Sequence, residues 1–130
     1  MNKSLIAAAL QARHNAVATY SGYQVGAAVL AQDGTVILGC NVESEINSLS
    51  SCAERSAILA ALAQGFRNFT AIAVATEDGG TCCGSCRQFI MEFCGDIPIY
   101  ISDTKNNVQT YTATDLLPHA FSLDPRFSKK

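Results

Sequence analysis

The sequence lacks three features that would place it in other classes of protein. No apolar run exceeds seven residues, as in residues 25–31 and 57–63, whereas crossing a bilayer takes roughly 20. The net charge is −2, so there is no strong positive field to collect nucleic-acid phosphates. Six cysteines in 130 residues are a share well below the roughly 8 to 10% typical of a disulfide-built secreted chain. We therefore expect a cytoplasmic protein with reduced thiols that binds neither membranes nor nucleic acids.

The length and composition predict one globular domain. A chain of 130 residues falls within the usual domain size of about 100 to 150 residues. Its hydrophobic share of 48% and charged share of 15% exclude a disordered or fibrous chain. No internal repeat, linker or abrupt change of composition interrupts it. The predicted domain spans residues 1–130.

Hydrophobic spacing and turn residues predict helices that alternate with strands. The dipeptide Asp33-Gly34 separates two apolar stretches and predicts a hairpin, so the first two strands should be antiparallel. The predicted helices are 4–19, capped by Ser4, then 52–63, 83–94 and a short turn at 114–117, and the predicted strands are 24–31, 35–42, 70–76, 98–102 and 108–111. Strands separated by helices are typical of an α/β fold with crossover connections.

Two cysteines three positions apart, Cys83 and Cys86, open a predicted helix, so both thiols should point at one spot. Alone, such a pair is ambiguous between a redox dithiol, half of a zinc ribbon and two ligands of a catalytic zinc. The chain has no second pair of this kind, which excludes the ribbon. Cys52 opens another predicted helix and offers a third thiol. Three protein ligands with one open position are typical of a catalytic zinc, and a redox dithiol remains the alternative.

Charged residues beside these cysteines fit a catalytic zinc. Glu54 lies two positions after Cys52 in a helix of apolar residues, where a buried carboxylate is costly unless it has a task. It would hinder thiolate formation in a redox dithiol, but it can reach a zinc-activated water and move its protons. The adjacent cation Arg55 is a candidate donor of hydrogen bonds to the ligand sulfurs, and Arg87 is a weaker one.

Several motifs, in order, resemble those of the zinc-dependent cytidine deaminases. Residues 52–55 (C-A-E-R) and 83–88 (C-G-S-C-R-Q) are similar to the zinc motifs of that family. Residues 20–28, 39–43 and 116–121 are similar to its patterns Y-S-x-F-x-V-G-A-A, G-C-N-x-E and L-L-P-x-A-F. Together these motifs extend over nearly the whole chain, which makes them far more specific than any one of them alone.

The resemblance implies a fold, a cofactor and a reaction. The fold would be a three-layer α/β/α sandwich around a mixed sheet of about five strands. One Zn²⁺ per subunit would be held by Cys52, Cys83 and Cys86, with Glu54 as the proton shuttle and with Arg55 and Gln88 supporting the thiolates. The reaction would be hydrolysis of cytidine and deoxycytidine to uridine, deoxyuridine and ammonia in pyrimidine salvage. A homotetramer is also implied, with each site completed by a neighbouring subunit.

The resemblance also implies how the nucleoside is bound. Asn41 and Glu43 would bind the ribose 3′-hydroxyl region, where an amide and a carboxylate suit a sugar hydroxyl. The Ala53 backbone would meet the pyrimidine carbonyl. Tyr23, together with Phe121 of a neighbouring subunit, would contact the pyrimidine ring.

Four residues depart from the family pattern. Cys82 stands where proline is usual, and we expect it to have a structural role. Tyr23 replaces the commoner phenylalanine, and its hydroxyl needs a partner wherever it is buried. Glu45 and Asn47 replace a small residue and a tyrosine, at positions that the resemblance implies a neighbouring subunit uses near the ribose 5′ end. These departures keep open a second substrate class, a modified aminopyrimidine nucleoside or a nucleoside antibiotic such as blasticidin S.

Overall fold

Helices cover both faces of one mixed sheet in the computed structural model, which describes residues 2–123. The helices are α1 (Lys3–Ala12), α2 (Ala53–Ala63), α3 (Gly84–Cys94) and α4 (Ala113–Leu116). The strands are β1 (Gly26–Ala31), β2 (Val36–Cys40), β3 (Phe69–Ala75), β4 (Pro98–Ser102) and β5 (Val108–Thr112). The α/β/α arrangement with five strands confirms the predicted fold class. The two ends of the predicted 1–130 domain, Met1 and residues 124–130, lie outside the described residues.

The sheet order places two helix N-termini next to each other. The strands are ordered β2-β1-β3-β4-β5, with β3 and β4 parallel and the other neighbours antiparallel. The parallel pair requires a crossover, and α3 provides it. Both α2 and α3 pack on the same face of the sheet and against each other.

Alternation along the strands divides the apolar residues between two cores. On β1, Ala27 and Val29 join the larger core under α2 and α3, whereas Ala28 joins the smaller core under α1. The smaller core also contains Leu5 and Ala9 of α1. Both faces of β1 are therefore buried, as its apolar sequence requires.

Two glycines let helices approach the sheet closely. A Cβ atom on Gly26 would lie 2.0 Å from the carbonyl oxygen of Ala9, and one on Gly39 would lie 2.3 Å from the amide nitrogen of Ala57. Both contacts are with helix backbone, which cannot rotate away. Any larger residue would therefore push α1 or α2 off the sheet.

The first predicted helix, 4–19, is too long. Helix α1 ends at Ala12 and continues only as a 3₁₀ turn over Arg13–Asn15. Val17 then forms extended backbone hydrogen bonds, donating to the Asn41 carbonyl at 2.9 Å and accepting from the Glu43 amide at 2.8 Å. Backbone pairing with distant residues thus overrides the helix that the spacing of the apolar residues predicts.

The predicted cap and the outer ends of the first two strands also change. Asn2, not Ser4, caps α1, because its Oδ1 accepts from the Leu5 amide at 3.0 Å. Strand β1 begins two residues later than predicted and β2 ends two residues earlier. The Oδ1 atom of Asn41 accepts from the Val25 amide at 2.9 Å, so a side chain replaces the next bond of the ladder.

The other helices and strands lie within one residue of their predicted bounds. Cys52 and Cys83 are the N-cap residues of α2 and α3. Within residues 2–123 no helix combines the length and apolar character needed to cross a bilayer.

Candidate active site

Three cysteine thiols meet where α2 and α3 begin. Cys52 and Cys83 cap the two helices, and Cys86 lies in the first turn of α3. The Sγ atoms of Cys52 and Cys83 are 3.8 Å apart, those of Cys83 and Cys86 are 3.3 Å apart, and all three lie within 4.8 Å of one another. Tetrahedral Zn–S bonds of about 2.3 Å place sulfurs about 3.8 Å apart. The spacing and the soft thiolate donors therefore fit a zinc ion.

The electrostatics of the cluster favour a thiolate at Cys52. The pKa of Cys52 is lowered to about 5, because the Cys86 thiol donates a hydrogen bond to it, with further help from Cys83 and the positive charge of Arg55. The same hydrogen bond, together with burial, raises the pKa of Cys86. Two helix N-termini add partial positive charge at the cluster. A cation bound there would compensate the negative charge that three thiolates bring together.

Glu54 lies in the first turn of α2, and its side chain is only 4% exposed. Burial raises the pKa of its carboxyl, and the thiols of Cys82 and Cys86 are among its hydrogen-bond partners. A carboxyl group with a raised pKa can hold and release a proton near neutral pH. The structure thus places a proton carrier directly beside the thiol cluster.

Cys82 is buried behind this carboxylate. It is 4% exposed, and burial, followed by the charge of Glu54, raises its pKa well above the usual range. The thiol is therefore neutral and faces Glu54. Such a position fits the structural role expected for this residue.

Arg55 lies beside Cys52, and Nη2 donates to the carbonyl of Ser50 at 3.1 Å. This bond ties the guanidinium to the loop that precedes α2. The Arg55 charge and a hydrogen bond both act on the Cys52 sulfur. The guanidinium therefore lies where it can act on this sulfur, and its role as support for the thiolates stays a prediction.

Arg87 and Gln88 hold backbone in this structure. Arg87 donates to the carbonyls of Cys82 at 2.8 Å and Leu116 at 2.9 Å. Gln88 Nε2 donates to the carbonyl of Phe121 at 3.0 Å. These bonds fasten the loop before Cys83 and the segment after α4 to the start of α3. The sequence predicts that Gln88 supports the thiolates; in the structure its side-chain amide bonds the backbone of Phe121.

A cavity of about 720 Å³ opens over Glu54 and the thiol cluster. Its volume lies within the usual range for small-molecule sites, about 300 to 1,000 Å³. The predicted site residues that line it are Tyr23, Asn41, Glu43, Cys52, Ala53, Glu54, Arg55 and Cys83. Phe121 is not among the lining residues, and 71% of its surface is exposed.

Asn41 and Glu43 organise one wall of this cavity. Asn41 accepts from the Val25 amide and donates through Nδ2 to the carbonyl of Tyr23 at 2.8 Å. Glu43 accepts from the Tyr20 amide at 2.8 Å and from the amide and hydroxyl of Ser21. These hydrogen bonds, with the Ser21 hydroxyl first, lower the pKa of the Glu43 carboxyl. Glu43 is thus an ionised acceptor at the cavity wall.

The loop after β3 also lines the cavity, and the sequence did not predict this part of the wall. Thr76, Gly80 and Thr81 all border it. The segment 77–80 (E-D-G-G) has the composition of a turn and no other signal. A signal was present in Tyr23, because its additional hydroxyl needed a partner and Asp78 in this loop provides one at 2.6 Å.

A zinc-sized thiol cluster at two helix N-termini with a buried glutamate beside it is typical of the zinc-dependent nucleobase deaminases. A family model, the cytidine and deoxycytidylate deaminase zinc-binding region, matches residues 1–101. The chain belongs to this family, which confirms the resemblance seen in its motifs, and with the Cys52, Cys83 and Cys86 cluster this indicates one zinc ion per subunit.

Similar proteins agree with this assignment over most of the chain. It is 45% identical over 123 residues to a cytidine deaminase of Sporosarcina psychrophila, covering 92% of this chain and 90% of that protein. It is 42% identical to one from Halalkalibacterium halodurans, covering 92% and 93%. A crystal structure of cytidine deaminase from Burkholderia pseudomallei superposes with a TM-score of 0.89 at 43% identity, covering 93% of this chain and all of that one. A blasticidin-S deaminase of Bacillus cereus is more distant, 27% identical over 106 residues, covering 74% and 75%.

Proposed function

We propose that this protein is a hydrolase that deaminates cytidine and deoxycytidine to uridine and deoxyuridine, with release of ammonia. The observation that carries the proposal is the buried Glu54 carboxyl beside three thiols spaced for zinc, at the base of a nucleoside-sized cavity. The similar proteins from Sporosarcina psychrophila and Halalkalibacterium halodurans bear the name of this activity. Residues 1–130 act as one catalytic domain.

The residues around the cluster divide the chemistry among them. Cys52, Cys83 and Cys86 would hold a zinc ion, which when bound would lower the pKa of water to about 7. Glu54 takes a proton from the attacking water and gives it to N3 of the pyrimidine while a C4–O bond forms. Glu54 then moves the remaining proton of the new C4 hydroxyl to the amino group, the C4–N bond breaks, ammonia leaves, and the C4 oxygen becomes the carbonyl of the product. The burial that raises the pKa of Glu54 suits a group that carries this proton between the two steps.

Binding of the nucleoside falls to the cavity walls. The ionised Glu43 and the amide of Asn41 present an acceptor and a donor to the ribose hydroxyls. The Ala53 backbone at the start of α2 meets the pyrimidine carbonyl, and the Tyr23 ring lies against the base. Arg55 supports the thiolates, and Gln88 holds the Phe121 segment.

The charges of the cavity favour a nucleoside over a nucleotide. Glu43 and Glu45 line it together with Glu54, and Arg55 is the cation among its described lining residues. That guanidinium already serves the Ser50 carbonyl and the Cys52 sulfur. A 5′-phosphate would therefore meet like charge without a dedicated partner. The family includes deoxycytidylate deaminases, so deoxycytidylate is the informative competitor.

A second candidate substrate is a modified aminopyrimidine nucleoside or the antibiotic blasticidin S. Glu45 and Asn47 support it, because both line the cavity and the family resemblance implies that the neighbouring subunit uses these positions near the ribose 5′ end. A bulkier or cationic 5′ substituent would suit the Glu45 carboxylate. A redox dithiol is the third alternative, and it predicts no metal.

The completed site would include a neighbouring subunit. We propose a homotetramer in which Phe121 of one subunit contacts the base in another. The exposed Phe121 ring supports this, because it does not line its own cavity although Gln88 fixes its backbone. Ile46 and Leu49, which are 61% and 67% exposed beside the cavity loop, offer apolar surface for such a contact. We further propose that the enzyme works in the cytoplasm in pyrimidine salvage.

An ultraviolet assay on the purified, zinc-loaded protein tests these proposals together. The substrates are cytidine, deoxycytidine, cytosine, deoxycytidylate and blasticidin S, and zinc is measured on the same sample. We expect the highest kcat/KM for cytidine and deoxycytidine, with about one zinc per chain. Faster turnover of blasticidin S would establish the second candidate. A metal-free protein without deaminase activity would overturn both.

A further inference from the structure

A short hydrogen bond joins two walls of the cavity. The Tyr23 hydroxyl, just before β1, donates to Oδ1 of Asp78, in the loop after β3, at 2.6 Å. The same Oδ1 accepts from the Gly80 amide at 3.1 Å and from the Thr76 hydroxyl at 3.3 Å. The bond therefore spans 55 positions of sequence and ends on a carboxylate that the loop itself holds in place.

The loop is folded tightly around a buried hydroxyl. Thr76 is 3% exposed, and its Oγ1 accepts from the amides of Gly79 at 2.7 Å and Gly80 at 3.0 Å. A Cβ atom on Gly80 would lie 3.0 Å from the Tyr23 hydroxyl oxygen. The backbone of the loop thus packs directly against that hydroxyl, and any side chain at position 80 would crowd it.

Tyr23 is also fastened to the opposite wall. Its amide donates to the Ser21 hydroxyl at 3.0 Å, and its carbonyl accepts from Asn41 Nδ2 at 2.8 Å. Ser21 in turn donates to the Glu43 carboxylate. The tyrosine therefore lies between the wall built on Asn41 and Glu43 and the loop that leads to Cys83.

We propose that the Tyr23–Asp78 hydrogen bond is a latch that fixes the loop 76–80 against the sugar-side wall and so sets the width of the cavity for the nucleoside. This inference rests on the proposed function. Tyr23 and Asp78 are positioning residues for substrate binding. Because Glu54 has Cys82 and Cys86 as its side-chain partners, the latch leaves the proton shuttle untouched.

Loss of the latch should weaken binding without slowing the chemical step. A hydrogen bond to a charged partner contributes enough to raise KM about tenfold when it is lost. We expect this KM rise for cytidine in Tyr23→Phe and in Asp78→Ala, with kcat within about twofold and zinc content unchanged. The double variant should be no worse than either single one, because the two side chains act through one bond. Asp78→Asn keeps an Oδ1 acceptor and should restore most of the affinity.

Gly80→Ala gives an independent test of the geometry. In the parent protein its Cβ would crowd the Tyr23 hydroxyl at 3.0 Å, so KM should rise. In the Tyr23→Phe background the hydroxyl is gone, and Gly80→Ala should have little further effect on KM.

Two matched controls remove a tyrosine hydroxyl and an aspartate carboxylate elsewhere in the protein. Tyr111→Phe removes a hydroxyl bonded to Gln109, and Asp33→Ala removes a turn carboxylate that accepts from the Thr35 amide at 2.9 Å.

Two measurements separate this inference from the proposed function. If KM in Tyr23→Phe and Asp78→Ala stays within twofold of the parent value, the latch is overturned. This holds even if the melting temperature falls, because the bond would then contribute only to the stability of the fold. Hydrogen exchange of the Gly80 amide needs no substrate and should accelerate in both variants but in neither control. Should the parent deaminate none of the nucleosides, the proposed function fails, and unchanged exchange at Gly80 would overturn the latch as well.

Discussion

Replacing Glu54 by glutamine removes a proton carrier while keeping the shape of the side chain. The Glu54 side chain is only 4% exposed, and its neighbours Cys82 and Cys86 both have raised thiol pKa values, Cys82 through burial and Cys86 through its hydrogen bond to Cys52 together with burial. The neutral Cys82 thiol offers no substitute base near neutral pH. Loss of general acid–base catalysis costs about 10²- to 10⁴-fold in rate. Because no other base can substitute, we expect kcat to fall by about 10⁴-fold, the upper end of this range. This fall corresponds to an activation barrier higher by about 5.4 kcal/mol.

The fold should tolerate this change. Glutamine relieves the burial that disfavours a charged carboxylate, so the melting temperature should equal or exceed that of the parent. Steady-state kinetics on cytidine, zinc analysis and calorimetry on one preparation check all three quantities. Glu54→Asp is the matched control, because it keeps the carboxyl but withdraws it by about 1.5 Å and should be intermediate in kcat. A Glu54→Gln protein that keeps its zinc and turns over within tenfold of the parent would refute the proton-shuttle assignment.

Three further outcomes follow from the same structure. Removal of zinc by a chelator should abolish deamination and lower the melting temperature, and added Zn²⁺ should restore both, because metal binding is coupled to folding; activity that survives chelation would contradict the metal site. Gly26→Ala should destabilise the protein by about 3 kcal/mol through its clash with the Ala9 carbonyl. Its control, Gly84→Ala, meets open space in α3 and should not lower the free energy of unfolding. Phe121→Ala subunits should regain activity when mixed with inactive Glu54→Gln subunits, since a site that combines Glu54 of the first with Phe121 of the second has both groups, whereas the reciprocal site has neither; inactive mixed oligomers would count against a shared site.

The zinc cluster could be predicted from the sequence because helix geometry fixes it. Cys83 and Cys86 are three positions apart at a helix start, so local structure alone brings their thiols together. Cys52 depends on the packing of α2 against α3, which spacing does not show. The sequence offered Cys52 as a third thiol at another helix start, and the motif resemblance assigned it as a ligand; the 3.8 Å separation of the Cys52 and Cys83 sulfurs agrees with that assignment.

The cavity wall could not be predicted in the same way. Asn41 and Glu43 were predicted only to bind the ribose. In the structure their side chains also form hydrogen bonds with the backbone of residues 20–25. The partner of the Tyr23 hydroxyl lies 55 positions away, so no local pattern identifies it. Likewise, the first helix stops at Ala12 because Val17 pairs with distant backbone. Long-range pairing explains each of these differences.

Burial divides the site into a fixed base and an adjustable rim. Ala53 and Cys86 at the base are 0% exposed and belong to the same apolar core as the sheet residues. A change there alters packing and chemistry together. Glu45 and Asn47 at the rim are exposed and still line the cavity, so they can change with little effect on stability. We therefore predict that the rim decides between cytidine and a nucleoside with a different 5′ substituent: Glu45→Ala should shift substrate preference and leave the melting temperature unchanged.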